Sequence, residues 1–134
     1  MKNATTAARM VVRACGTLAL VLGLLFWLGD VRQLMPLHML FGIIMVLAMW
    51  LLSALGFKAG VAPALLVATF LWSLLLADLG LMQTSLLTGP GEPHWLVQLL
   101  HLVIGMGGMA ISEVLAGRIV PARASLGQAR SSGA

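Results

Sequence analysis

The sequence predicts an all-α integral membrane protein, folded as an up-and-down bundle of four helices. Two observations indicate this class. Hydrophobic residues make up 60% of the 134 residues, whereas Asp, Glu, Lys and Arg together account for 9%. The chain also contains four long apolar stretches, each close to the ~20 residues that cross a bilayer as a helix. The links between them are short, which makes neighbouring helices antiparallel.

The four stretches define the expected helices. We expect membrane-spanning helices over residues 10–29, 34–57, 61–82 and 93–117, within one domain that covers residues 1–120. Pro93 suits the first turn of the fourth helix, because its missing N–H needs no partner there. The segment 121–134 consists mostly of small and polar residues, and we expect it to be a disordered cytoplasmic tail.

The basic residues predict the orientation in the membrane. If the N-terminus is cytoplasmic, only Arg32 among the eight Lys and Arg residues lies outside. Cytoplasmic segments of membrane proteins carry an excess of Lys and Arg, so we expect both termini on the cytoplasmic side of a bacterial inner membrane. No small-residue cleavage site follows the first apolar stretch, which is therefore expected to stay as an uncleaved helix. The seven cytoplasmic residues are Lys2, Arg9, Arg13, Lys58, Arg118, Arg123 and Arg130.

Several function classes are disfavoured by the residues. The single cysteine, Cys15, allows neither an intrachain disulfide nor a cysteine-rich metal site. The sequence has no phosphate-binding loop, dinucleotide fingerprint or metalloprotease motif, and it assigns no catalytic residue. We expect the protein to contact the lipid bilayer and not to bind nucleic acid. An electron carrier or a subunit of a larger membrane complex is favoured over a stand-alone enzyme, and a homo-oligomer is left open.

A five-residue pattern (a pentad) occurs twice: a histidine, three large apolar residues and a glycine. It is "HMLFG" at residues 38–42 and "HLVIG" at residues 101–105. Both pentads fall on helices that enter from the outer face. His38 follows Asp30 by eight residues and His101 follows Glu92 by nine, so we expect the two imidazoles at similar depth in the outer leaflet. Ionisable residues inside a membrane are costly and are functional candidates for that reason.

The pentads predict a haem site between the second and fourth helices. These helices are diagonal in an up-and-down bundle, so two inward imidazoles could bind the two faces of one haem b iron. Gly42 and Gly105 lie one helical turn below the histidines, where a missing side chain gives a flat ring room; Gly108 continues this face. The alternative is that the histidines form hydrogen bonds between helices and the glycines allow close helix packing.

Two charged residues are assigned to the same site. Arg32 could pair with haem propionates at the outer surface, or remain a solvated loop charge. Asp78 could accept the second N–H of a ligand histidine, or lie as a helix-end carboxylate among headgroups. Glu113, near the cytoplasmic side, is expected to form a salt bridge with Lys58, Arg13 or Arg118.

Two further features leave alternatives open. His94 lies on the face of His101 and nearer the water, so it is either an interfacial residue or an outer ligand. Met35, His38 and Met39 are close in sequence, and thioether sulfur suits Cu(I), so copper is an alternative metal.

The helix number, the hydropathy and the two pentads resemble those of the small four-helix membrane b-type cytochromes and related copper-resistance-type membrane domains. The similarity covers most of the chain. It implies a haem-binding electron-transfer protein with a redox partner or a larger complex. Members of that family often use four histidines for two haems, whereas this chain has three in all, so it allows one bis-histidine haem. The alternatives are a non-redox accessory subunit and a chlorin- or copper-binding membrane protein.

Overall fold

The computed structural model describes residues 2–29, 32–83 and 85–132, with side chains from residue 3 to residue 122 in these ranges. Within them the chain forms four α-helices, which confirms the all-α prediction. They are α1 (Lys2–Leu28), α2 (Met35–Lys58), α3 (Pro63–Met82) and α4 (His94–Ser132), and a short 3₁₀ helix (Arg32–Leu34) precedes α2. Each α-helix contains a segment long and apolar enough to cross a membrane, as the hydropathy predicts.

Proline and glycine residues set the ends of the middle helices. Pro36 lies in the first turn of α2 and Pro63 begins α3, where the missing N–H costs no helical hydrogen bond. Gly60 has a φ of +72°, a left-handed conformation that glycine adopts without strain. This turn lets the Val61 N–H donate to the Gly56 carbonyl at 3.0 Å, which closes the end of α2.

The first and last helices, α1 and α4, are longer than the sequence predicts. The first begins at Lys2 rather than at residue 10, because the expected range followed hydropathy and the polar first turns are also helical. The fourth is helical to Ser132, which differs from the disordered tail expected over 121–134. The segment contains Ala, Arg, Leu and Gln, which have high helix propensity, and Pro121 lies inside the helix. Residues 133 and 134, like Asp30, lie outside the described residues.

The helices pack in a ring with one diagonal contact. Helices α1 and α3 each pack against α2 and α4, and α2 also contacts α4 across the centre. Side-chain contacts connect α1 to α4 near both ends of α1. Arg13, in the first half of α1, contacts Glu113, whereas Trp27, at the end of α1, contacts Gln98 near the start of α4.

Most of the buried core lies at one end of this arrangement. Its largest fully buried apolar side chains belong to Val12, Met49, Leu52, Leu115 and Ile119. Towards the other end, every residue of α1 from 17 to 28, of α2 from 35 to 44 and of α3 from 77 to 82 is at least partly exposed. The bundle is therefore closely packed at one end and open at the other.

Two tryptophans join α3 to its neighbours beside the core. The Trp72 indole N–H donates to the Ile104 carbonyl at 2.9 Å, and its ring occupies the space that a side chain on Gly107 would need. The Trp50 indole N–H donates to the Ser73 hydroxyl at 2.7 Å. Because these donors are satisfied by protein atoms, they can lie in an apolar region at little cost.

Glu113 connects α4 to α1 at the packed end. Its carboxylate accepts hydrogen bonds from Arg13 at 2.6 and 2.8 Å and from Arg9 at 2.8 and 2.5 Å. The expected partner Arg13 is confirmed, and Arg9 is an additional one. The two guanidinium groups reach Glu113 together because residues 9 and 13 lie one helical turn apart on the same face of α1.

Candidate cofactor site

The open end of the bundle contains a cavity of about 420 Å³. All four helices line it, and its wall includes all three histidines of the chain. The rest of the wall is mainly glycine, methionine and other apolar residues, with Gln83 and Gln98 towards the ends of α3 and α4. A predominantly apolar cavity with a few converging polar groups is the usual form of a cofactor site.

His38 is held against α1. Its Nδ1 donates to the Ala19 carbonyl at 2.8 Å, and its ring makes an edge-to-face contact with Phe26 at 5.5 Å between centroids. The ring lies beside Gly23, where a Cβ would be 3.4 Å from the His38 Cε1, at the near limit of ordinary van der Waals contact. The hydrogen bond to a carbonyl fixes the proton on Nδ1 and leaves the lone pair on Nε2, which is the state that a metal requires.

His101 is placed in a similar way against α3, through Gly80. A Cβ at residue 80 would be 3.2 Å from the His101 Cε1, so the imidazole edge occupies the place of a side chain. Its Nδ1 differs from that of His38, because it is buried and has no hydrogen-bond partner among the described residues. An unsatisfied buried polar atom is uncommon in a folded protein.

The two imidazoles approach each other across the bundle. Their ring centroids are 6.1 Å apart and the ring planes are inclined by 54°. The separation exceeds van der Waals stacking. It is on the scale of two metal–nitrogen bonds of about 2 Å each plus the distance from each nitrogen to its ring centre.

The site has a repeated plan that the pentads only partly reveal. In the first hairpin Gly23 supports His38, and in the second Gly80 supports His101. We did not predict the roles of Gly23, Gly80 and the Ala19 carbonyl. A signal existed, because the segments "LGLLFWLGD" and "LWSLLLADLG" each carry a glycine among large apolar residues late in α1 and α3. Only the packing shows which histidine each glycine contacts.

The three glycines singled out by the sequence have different surroundings. Gly42 and Gly105 line the cavity, and a Cβ on Gly42 would meet no atom within 4 Å. Gly105 would meet only Leu76, at 3.8 Å. Gly108 is buried below the cavity, where a Cβ would be 3.2 Å from the Met45 methyl group. The first two glycines therefore leave space in the cavity, whereas Gly108 serves helix packing.

Neither charged candidate is among the residues that line the cavity. Asp78 is exposed on α3 beside Leu74 and Leu81 and does not line the cavity. His38 donates its hydrogen bond to the Ala19 carbonyl and not to this carboxylate. The direction in which the side chain of residue 78 points is set by the packing of α3, which the spacing of residues in the sequence does not determine. Arg32 is exposed in the 3₁₀ helix that leads into α2.

Polar side chains form contacts between elements at the cavity end of the bundle. The Trp27 indole N–H donates to the Gln98 side-chain oxygen and so joins α1 to α4. His94 lines the cavity wall, and its Nδ1 donates to the Leu86 carbonyl in the preceding loop at 2.9 Å. We did not predict the contact between Trp27 and Gln98.

The donor set fits a metal that carries its own equatorial ligands. Among the described residues there is no group of three or more His, Cys, Asp and Glu side chains that could hold a bare metal ion. Two imidazoles alone satisfy a macrocyclic metal, which needs only axial ligands from the protein. The open space at Gly42 is a further feature that such a group would use.

Comparisons with family models, with curated proteins and with solved structures found no match to this chain. The resemblance to four-helix b-type cytochromes therefore stays a prediction from the sequence.

Proposed function

We propose that this protein is a membrane electron-transfer protein that holds one haem b between His38 and His101. The observation that carries the proposal is the 6.1 Å approach of these two imidazoles at the wall of a 420 Å³ cavity. The haem supplies one-electron chemistry when bound. His38 and His101 bind the iron, and the apolar wall keeps water from it. With one haem the protein needs an external redox partner or a larger membrane complex.

The same proposal includes the topology and the membrane orientation. We infer an up-and-down bundle with both termini in the cytoplasm of a bacterial inner membrane. The packed end carries Arg9, Arg13, Lys58 and Arg118, in keeping with the positive-inside rule. Trp27 and Trp95 lie at the cavity end and are 45% and 56% exposed, as expected of residues at the outer interface. The cavity then opens towards the outer leaflet.

A non-redox accessory subunit is the second candidate. The bond from His38 to the Ala19 carbonyl favours it, because a histidine that only joins helices would make the same contact. The cavity beside the two imidazoles favours the haem proposal, since a packing role does not explain it.

Haem titration of the purified protein in detergent separates the two candidates. The haem proposal requires saturable binding at one haem per chain, with a Soret band that differs from that of haem in empty micelles. The reference protein is a variant that carries both His38→Ala and His101→Ala. Equal haem uptake by the wild type and this double variant would favour the accessory subunit.

A further inference from the structure

The two hairpins hold their histidines unequally. His38 Nδ1 donates to the Ala19 carbonyl, four residues before Gly23 in α1. The position four residues before Gly80 in α3 is Leu76, and His101 Nδ1 is buried without a hydrogen-bond partner among the described residues. One imidazole is thus fixed in orientation and tautomer by a hydrogen bond from Nδ1, whereas the other has no such bond among the described residues.

This difference affects how strongly each imidazole binds a metal. An Nδ1–H that donates to a carbonyl raises the basicity of Nε2 and holds the ring in place. Loss of such a partner typically costs about 10–100-fold in metal affinity. His38 has this support and His101 lacks it, so the two metal–nitrogen bonds are expected to differ in strength.

We propose that His38 is the permanent ligand of the haem and that His101 is an exchangeable ligand. This inference rests on the proposed function. The His101 side of the site then accepts a small neutral ligand of the carbon monoxide class. In the exchange the iron–nitrogen bond to His101 breaks and an iron–carbon bond forms. The iron stays ferrous, and the imidazole keeps its proton.

The space around His101 suits this exchange. Gly105 lies one turn away on the same helix and a Cβ there would meet only Leu76, at 3.8 Å, so a displaced imidazole has room to move. His38 has less freedom, because Phe26 and Ala19 contact its ring on the α1 side.

Haem affinity and carbon monoxide binding in two single variants test the inference. His101→Ala is expected to keep haem at least about tenfold more tightly than His38→Ala. It should also bind carbon monoxide faster than the wild type, in which the rate should level off at high gas concentration as His101 dissociation becomes limiting. Equal haem affinities, or the reverse order, would overturn the inference. Monodisperse gel filtration identifies variants that remain folded.

Nitrogen NMR of the ¹⁵N-histidine-labelled wild type without haem gives a readout that does not depend on these variants. We expect His38 as a single tautomer with a slowly exchanging Nδ1 proton, and His101 with faster exchange. Identical behaviour of the two imidazoles would overturn the inequality. Absence of haem binding by the wild type would instead overturn the proposed function, and the NMR result would still report whether the hairpins are unequal.

Discussion

Arg13 of α1 donates two hydrogen bonds to the Glu113 carboxylate of α4, at 2.6 and 2.8 Å. Arg9 donates to the same carboxylate, so one carboxylate pairs with two guanidinium groups. All three residues lie in segments long and apolar enough to cross a membrane. Charges in such segments are costly unless they are paired, and this group holds α1 against α4 at the packed end.

Replacement of that carboxylate should destabilise the bundle. In Glu113→Gln both guanidinium groups lose their counter-charge, and we expect the apparent melting temperature in detergent to fall by about 5 °C or more. Glu92→Gln is the matched control, because Glu92 is in the loop before α4 and its contact is with the nearby Gly89 N–H at 3.1 Å. An equal effect of the two substitutions would show that the ion pairs do not hold the helices together.

Glycines that leave space in the cavity should be required for cofactor uptake but not for folding. A Cβ at Gly42 would meet no atom within 4 Å and one at Gly105 would meet Leu76 at 3.8 Å. Gly42→Leu and Gly105→Leu therefore place a side chain in the cavity, and we expect normal insertion and at least about tenfold weaker haem binding. Gly117→Leu is the control, since its Cβ also meets nothing within 4 Å but residue 117 is exposed on α4 away from the cavity. Unchanged haem affinity in both cavity variants would show that the glycines serve packing alone.

Replacement of Gly23 and of Gly80 by alanine, which adds a methyl group beside His38 or His101, should affect the bound haem unequally. The Cβ of Gly80→Ala would be 3.2 Å from His101, which requires the ring to shift, whereas that of Gly23→Ala would be 3.4 Å from His38, at the near limit of ordinary contact. We expect the first variant to lower the low-spin fraction of bound haem and the second to change it less. The visible spectrum at matched haem content measures this fraction. A larger effect of Gly23→Ala would contradict the assignment of His38 as the firmly held ring.

The orientation can be tested with topology reporters. Basic residues are concentrated at the packed end, so a C-terminal alkaline phosphatase fusion should be inactive and a C-terminal green fluorescent protein fusion should be fluorescent in bacterial cells. A reporter inserted between Gly89 and Gly91 serves as the opposite control and should show the reverse pattern. An active phosphatase at the C-terminus would overturn the cytoplasmic placement of that end.

Most of the helical framework could be predicted from local features. Hydropathy predicted α2 and α3 to within two residues at each end, because this signal acts within one segment. The end of α4 was missed, since a small and polar composition describes a possible disordered tail and a solvated helix equally well.

The candidate site was less predictable. The repeated pentad predicted that residues 38 and 101 face each other, and their ring centroids lie 6.1 Å apart. Their depth in the membrane stays a prediction. The rotation of each helix about its axis is set by tertiary packing, so the sequence did not show that Asp78 points away from the cavity. For the same reason Ala19, Gly23 and Gly80 were missed, since each acts on a residue of another helix.

The optical spectrum of the purified, haem-supplied protein tests the central claim most directly. We expect the wild type to give a six-coordinate, low-spin haem spectrum, and His38→Ala and His101→Ala each to lose it, because each removes one axial nitrogen. His94→Ala should keep the wild-type spectrum, since that imidazole donates to the Leu86 carbonyl. A wild type without a low-spin spectrum, or one that persists in both His38→Ala and His101→Ala, would contradict the haem site.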